Sequence, residues 1–285
     1  MFGTLNHSKI EERPPWRAEG ENKSSSKLLE EILEKLDEGR AVRSPDFHFV
    51  HQTNIGEGVG TQEEGETKSV CESVSSPSAQ RDKETWNTFK ALQKLEEMHH
   101  EMEETGMITV QQICSIHRIL MDGLHDNAGE IRTTVTYTIR PDGEKYYYTP
   151  PERIEDRLYT VVDRHNEHMQ EMHNLNLSRK EKLVMAIKAA AWLLLNFVDT
   201  HPFSDGNGRT GRLLAGYTIM IANPFPVQPY HNNETCRSDY ISTIVHCSRN
   251  LDQCPSRIAA LMVDGLYASW SLVKTETESL TCTYV

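Results

Sequence analysis

The chain has 285 residues, with 30 lysines and arginines against 42 aspartates and glutamates, a formal net charge of −12. An acidic surface of that size argues against general binding to nucleic acid or anionic membranes, and the length suits one sizeable helical domain with extensions or two small ones. Cys71, Cys114, Cys236, Cys247, Cys254 and Cys282 are scattered without metal-ligand spacing and too sparsely for a disulfide scaffold. The opening residues carry no hydrophobic run that reads as a signal peptide, and the longest apolar run, Ala189 to Leu195, falls far short of a membrane span. A reduced, cytoplasmic setting with no membrane span is the expectation.

Residues 1–25 are polar, include Pro14-Pro15 and end in serines, so a flexible segment is expected. A second unit, residues 26–82, opens with an amphipathic helix. Ser26 is its N-cap, Leu28, Leu29, Ile32, Leu33 and Leu36 form its stripe, and Gly39 stops it. It packs on the main body or contacts a second copy in a homodimer. Gly56 and Gly58 flank Glu57, and by residue type alone this stretch is a surface loop. A serine-rich break follows.

The main unit, residues 83–250, begins with a helix that turns Trp86, Phe89, Leu92, Leu95 and Met98 or Met102 toward the core. The next helix is capped by Thr109 and points Ile113, Ile116, His117 and Leu120 inward, His117 reading as a structural histidine. From Thr136 to Tyr148, β-formers alternate about Pro141-Asp142-Gly143, a hairpin signal. A helix starts at Pro151. His165, His168 and His173 lie along it without a cysteine on a face that reads as solvated, so no metal site is expected. Beyond Pro229 comes a helix with Tyr240, Ile244 and His246. The last unit, residues 251–285, is a packing or oligomer-contact helix, and its tail Thr283-Tyr284-Val285 fits a short pattern that docks a free carboxylate in a backbone nest.

The densest chemistry lies from Thr200 to Arg212. Before it, Leu183, Val184, Ile187, Ala190, Ala191, Leu194, Leu195 and Val198 mark a helix buried along one broad face, and after it a helical apolar pattern resumes. Gly206 and Gly208 permit backbone conformations closed to other residues and close approach of N–H groups to a ligand. A helix starting near Asn207 presents unpaired N–H groups to an anion. Arg209 and Arg212, three apart, share a face and can both fork onto phosphates. Asp205 is a hard oxygen ligand suited to Mg²⁺ carrying substrate phosphates. His201 has the chemistry of a base near neutral pH, although an isolated His-Pro more often marks a histidine bonded to backbone.

His201, Phe203, Asp205, Gly206, Asn207, Gly208, Arg209 and Arg212 together resemble the signature loop of the Fic-domain family, His-x-Phe-x-[Asp/Glu]-Gly-Asn-Gly-Arg-x-x-Arg. The Ile-His-x-x-Leu pattern and Ala128, Gly129 and Arg132 extend the likeness, which covers about residues 47 to 250. The resemblance implies an all-α Fic fold, a helical bundle with a small β-hairpin flap. It also implies transfer of AMP from ATP to a Ser, Thr or Tyr hydroxyl of a protein. His201 would take the hydroxyl proton, and Asp205 would hold Mg²⁺, with Mn²⁺ an alternative. Gly206, Asn207 and Gly208 would cradle the phosphates, and Arg209 and Arg212 would contact the β- and γ-phosphates. Arg212 is thereby counted with His201 as catalytic, and Phe203 with the nucleotide site as anchor of its loop. A glycine at 208, where kinase-like members have lysine, favours AMP transfer.

The resemblance also changes the reading of Thr53 to Gly58, which matches the family's inhibitory-helix pattern [Ser/Thr]-x-x-x-Glu-[Gly/Asn] through Thr53, Glu57 and Gly58. Glu57 would pair with Arg212, although Gly56 departs from the isoleucine usual there. The hairpin becomes a flap clamping the protein substrate, in which Tyr146, Tyr147 and Tyr148 line the clamp, flank its edge or are themselves modified. Tyr240 becomes a residue that stacks or bonds near the base. Rival readings are a hydrolase that removes AMP with Glu57 placing the water, a transfer using UTP, GTP or a choline-linked nucleotide, and a nucleotide-binding scaffold with little turnover.

Overall fold

The structure, a computed structural model, describes residues 9–17, 23–37, 46–101, 105–230, 234–248 and 255–281, with side chains over 237–248 and 255–272 in the last two stretches. Gly39, Met102, Cys254, Cys282 and the tail from Thr283 to Val285 lie outside these residues, as does the side chain of Cys236. Among the described residues the fold is all-α with one small hairpin, as predicted. In chain order the helices are α1 Ser25–Asp37, α2 Asp46–Glu57, α3 Glu64–Cys71, α4 Gln80–Glu101, α5 Val110–Leu120, α6 Pro151–Asn174, α7 Arg179–Thr200, α8 Asn207–Ile219, α9 Glu234–Ser248 and α10 Ser256–Thr281. Between α5 and α6, β1 (Tyr137–Ile139) pairs antiparallel with β2 (Lys145–Tyr147), placing Tyr137 opposite Tyr147 and Thr138 opposite Tyr146.

The axis of the bundle is α7. Ser178 and Glu181 start it with a reciprocal capping box. The sequence pattern predicts one broad buried face, but Ala186, Ala189, Leu193 and Phe197 are buried as well. The reason is position: α6, α8 and α10 all pack against it. By length and composition α7 would also cross a membrane, yet 78% of its most apolar window is buried in the fold, as in the core helix of a domain. One core joins α7 to α1 and α10, and another joins it to α2, α4, α5, α6 and α8.

Three expectations change on this frame. Residues 9–17, expected to be flexible, pack down: Ile10 enters the core, Trp16 Nε1 donates to Asp264 at 2.8 Å, and Arg17 pairs with Asp264 at 2.7 Å. Polar composition concealed this because the anchoring carboxylate lies far away in sequence. The first helix starts at Ser25 with Ser24 Oγ accepting from the Lys27 N–H, two residues earlier than the predicted cap, and it packs on α10. The face of α6 bearing His165 and His168 is buried rather than solvated. His165 bonds the Gly106 carbonyl at 3.0 Å and His168 meets Trp192 edge-on. No group of three or more metal-ligating side chains occurs among the described residues.

Candidate active site

The site is built where α7 stops. His201 terminates the helix in a left-handed conformation (φ 49, ψ 58), the one non-glycine at positive φ among the described residues. Such strain persists only where surroundings hold it. The His201 N–H donates to Phe197 O at 2.9 Å, and its Nδ1 lies 3.3 Å from Val198 O. With Nδ1 donating to that carbonyl, Nε2 carries the lone pair. Burial pushes the imidazole down to about 4, partly opposed by the Val198 carbonyl, so the ring is neutral at neutral pH.

The following loop is held from inside. Phe203 is wholly buried, stacked on His117 at 3.7 Å. His117 accepts the Gly129 N–H at Nδ1 (2.8 Å) and donates from Nε2 to Asp205 O (2.9 Å). Burial holds it at about 4, neutral, confirming the structural reading. The Asn207 side chain clasps the Phe203 backbone, accepting its N–H at 2.9 Å and donating to its carbonyl at 2.7 Å. Gly206 has φ 74, and a Cβ there would meet Met121 Sδ at 2.9 Å and His117 Nε2 at 3.2 Å, so only glycine fits. It caps α8 with no side-chain bond, leaving the first N–H groups of that helix without intrahelical partners.

Two buried arginines stand behind this helix end. Arg209 Nη1, Arg212 Nε and Arg212 Nη2 have no aligned acceptor. Arg212 nevertheless lies 2.6 Å from Glu57 Oε1 in an ion pair, its side chain 2% exposed. Burial works against the Arg212 charge, but the Glu57 carboxylate and the nearby Tyr230 and Tyr240 outweigh it and raise its pKa. Glu57 is the last residue of α2, and Gly58 (φ 68) ends the helix behind it. The helix runs through Gly56, whose carbonyl accepts from Arg237 Nε at 2.5 Å, so the departure at 56 does not break it. Thr53 is buried away from the arginines: it donates to Phe49 O at 2.9 Å and accepts from the Gln228 amide, locking α2 in place. Gly208 has a reason beyond ligand approach, since a Cβ there would sit 2.5 Å from Glu57 Oε1.

Glu57, the loop and the start of α8 face one cavity of about 470 Å³, lined by Glu57, Tyr146, Tyr148, Asp199, His201, Asp205, Gly206, Asn207, Gly208, Arg209, Arg212, Tyr240 and Ile244 among others. Residues 107–219 match the family described as Fic/DOC. They are a Fic/DOC family domain. The chain is 30% identical over 196 residues to the protein adenylyltransferase fic-1 of Caenorhabditis briggsae, a match covering 66% of this chain and 34% of that protein. It is 31% identical over 173 residues to the ribonucleoside-diphosphate reductase small chain of Ostreid herpesvirus 1, covering 59% of this chain and 26% of that one. The chain therefore spans only part of these curated relatives. Its fold is that of Fic-1 from Caenorhabditis elegans, with a TM-score of 0.67 at 24% identity over 90% of this chain and 73% of that chain.

Within the Fic domain, three predicted site residues take these places. Phe203, counted with the nucleotide site as the anchor of its loop in the core, is 0% exposed and packs there on His117 and Phe197. The Asn207 side chain likewise points into its own loop, so only its backbone N–H remains for a ligand. Tyr240, predicted beside a base, is stacked on Tyr230 at 4.6 Å and sits next to Arg212; burial first, opposed by Arg212, raises its phenol above the usual range. Asp205 is 65% exposed, its Oδ1 accepting the Gly206 N–H at 2.6 Å and Oδ2 3.8 Å from Arg209. It is a single hard-oxygen donor facing the cavity, so a divalent ion fits there if phosphates and water complete its shell.

Sequence reasoning passed over Arg132 except as part of a pattern. Its N–H bonds Pro202 O, and its guanidinium bonds the carbonyls of His201 (2.7 Å), Thr134 (2.5 Å) and Thr149 (2.6 Å). It thus ties the loop that carries His201 to both stems of the hairpin. Tyr148, at the hairpin stem, stacks on the His201 ring at 3.8 Å. Tyr146 donates to Asp199, and Tyr147 is 58% exposed. The alternation of tyrosines predicts opposite faces; which face meets the cavity depends on α7 packing.

Proposed function

We propose that this chain transfers AMP from ATP to a protein hydroxyl and is held back by Glu57. The observation that carries the reading is a neutral, base-competent His201 in the same cavity as two buried arginines lacking aligned acceptors. Relatives named protein adenylyltransferases support it. The hydroxyl oxygen attacks the α-phosphorus, its proton passes to His201 Nε2, and the Pα–O bond to the β-phosphate breaks, releasing pyrophosphate. Arg209, Arg212 and the α8 N–H groups stabilise the charge gathering on the phosphate oxygens. Asp205 would hold Mg²⁺, which when bound neutralises phosphate charge. The hairpin, with Tyr137, Ile139 and Tyr147 exposed, offers strand edges to an extended peptide.

Glu57 restrains the reaction because one buried guanidinium cannot pair with a carboxylate and a γ-phosphate in the same geometry. With labelled ATP, Glu57→Gly should raise AMP incorporation by about tenfold or more. His201→Ala in that background should lose about 100-fold or more while nucleotide still binds. Incorporation that survives His201→Ala would sink the base assignment, and an unchanged rate in folded Glu57→Gly would sink the restraint. A second reading, removal of AMP, draws on Glu57 being 28% exposed in the cavity that holds His201. Glu57-dependent AMP release from an AMPylated protein would favour it.

A further inference from the structure

We infer that Asp199 reads the nucleotide base, its free carboxylate oxygen accepting a hydrogen bond from the exocyclic amine of adenine. The inference rests on the ATP-using function proposed above and names how that same cavity chooses its nucleotide.

The cavity has two ends, and α9 measures the distance between them. Tyr240 on α9 lies beside Arg212 at the anion end. Two turns further along, Ser248 accepts from Arg140 Nη2 of the hairpin at 2.7 Å. That is roughly 12 Å of helical rise. Between them Ile244 and Val245 line the cavity, as do Leu195 and Val198 from α7, giving apolar walls for a flat ring. A triphosphate seated on Arg209, Arg212 and the α8 N-terminus therefore carries its base toward the hairpin end.

One carboxylate waits there. Asp199, on the last turn of α7, lines the cavity, and its Oδ1 accepts the Tyr146 hydroxyl. Tyr146 is itself fixed by the Arg140 guanidinium, 4.0 Å from the centre of its ring. No protein donor reaches Asp199 Oδ2 among the described residues. Burial raises the Asp199 pKa, while the Tyr146 hydroxyl, Arg157 and Arg140 pull it back toward the charged form. A carboxylate only accepts, so a base lying against Oδ2 must present a donor. Adenine offers its 6-amino group; hypoxanthine offers an oxygen at that position and leaves two acceptors facing one another. Buried polar groups without a partner are what make such a site discriminate.

The test is equilibrium binding of ATP, ITP and GTP to the full chain by calorimetry, in the Glu57→Gly background where Arg212 is free. ATP is expected to bind about 10- to 100-fold tighter than ITP. Asp199→Asn should bring the two within about threefold, because an amide can turn either a donor or an acceptor to the base. The ratio is taken on one preparation, so a general loss of affinity does not mimic the result, and Asp199→Ser replaces Asp199→Asn if the latter fails to fold. An ATP-to-ITP ratio unmoved by these variants, or GTP binding tighter than ATP, would overturn the inference and leave the transferase reading standing. Binding of none of the three nucleotides would overturn both.

Discussion

The loop from His201 to Arg212 and the hairpin from Thr136 to Tyr148 face the same cavity but are held in opposite ways. In the loop the side chains bond their own turn, Asn207 on Phe203 and Asp205 on Gly206, with His117 braced beneath it. Its shape is set before any ligand arrives, as a site that stabilises developing charge requires. The hairpin has only three residues in each strand, and both strands show the exposed-intermediate-exposed pattern. It is positioned from outside, by Arg132 at its stems, by Tyr146 on Asp199 and by Arg140 on Ser248. A loop bonded from within beside an externally braced hairpin teaches that substituting the residues that hold the loop's shape should act on stability, and substituting the braces on rate.

The largest expected effect tests how firmly the loop and its surroundings are frozen. Burial holds His117, His165 and His201 at about 4 and His168 at about 3, below the ordinary 6.5. As the pH falls from about 6.5 toward 4, the unfolded chain binds these protons before the native one does, so stability is lost across that window. Melting temperatures should be level with respect to these groups above pH 7 and fall steeply below 6.5. A flat profile down to pH 4.5 would mean the loop opens to solvent. Next comes the brace. Arg132→Lys replaces a fork that meets three carbonyls with a single ammonium. Labelled-ATP assays should show kcat down by about 10- to 100-fold with KM for ATP little changed.

Smaller effects separate the regions further. Asn207→Ala leaves the buried Phe203 N–H and carbonyl without partners and should cost about 2 kcal/mol or more in denaturant unfolding. A cost below about 0.5 kcal/mol would show that the loop is held by packing instead. Tyr147→Ala, on the exposed face of the hairpin, should change stability by less than about 0.5 kcal/mol while weakening capture of a peptide substrate. Equal KM for peptide in both forms would remove the hairpin from substrate binding.

Much of this site was legible because its bonds are local. The glycine at 206, the asparagine at 207 and the arginines at 209 and 212 act within a few residues of one another, so their spacing carries their geometry. Phe203 anchors its loop in the core as expected, whereas pattern alone does not reveal that the Asn207 side chain points into its own loop. Burial of the His165 face was missed because it depends on which neighbour packs there, and Trp192 lies on another helix.

By itself the sequence determined the helical class, the hairpin, and the chemistry of the loop from Thr200 to Arg212, all carried by periodicity and short spacing. The pair of Glu57 with Arg212 that the resemblance implied closes at 2.6 Å across 155 positions of chain, brought together only by the fold. Tertiary structure alone decided that Arg132 bridges loop and hairpin, and that Asp199 lines the cavity where Tyr146 meets it. These contacts join residues distant in sequence, and whether such residues meet depends on how the helices between them pack about α7.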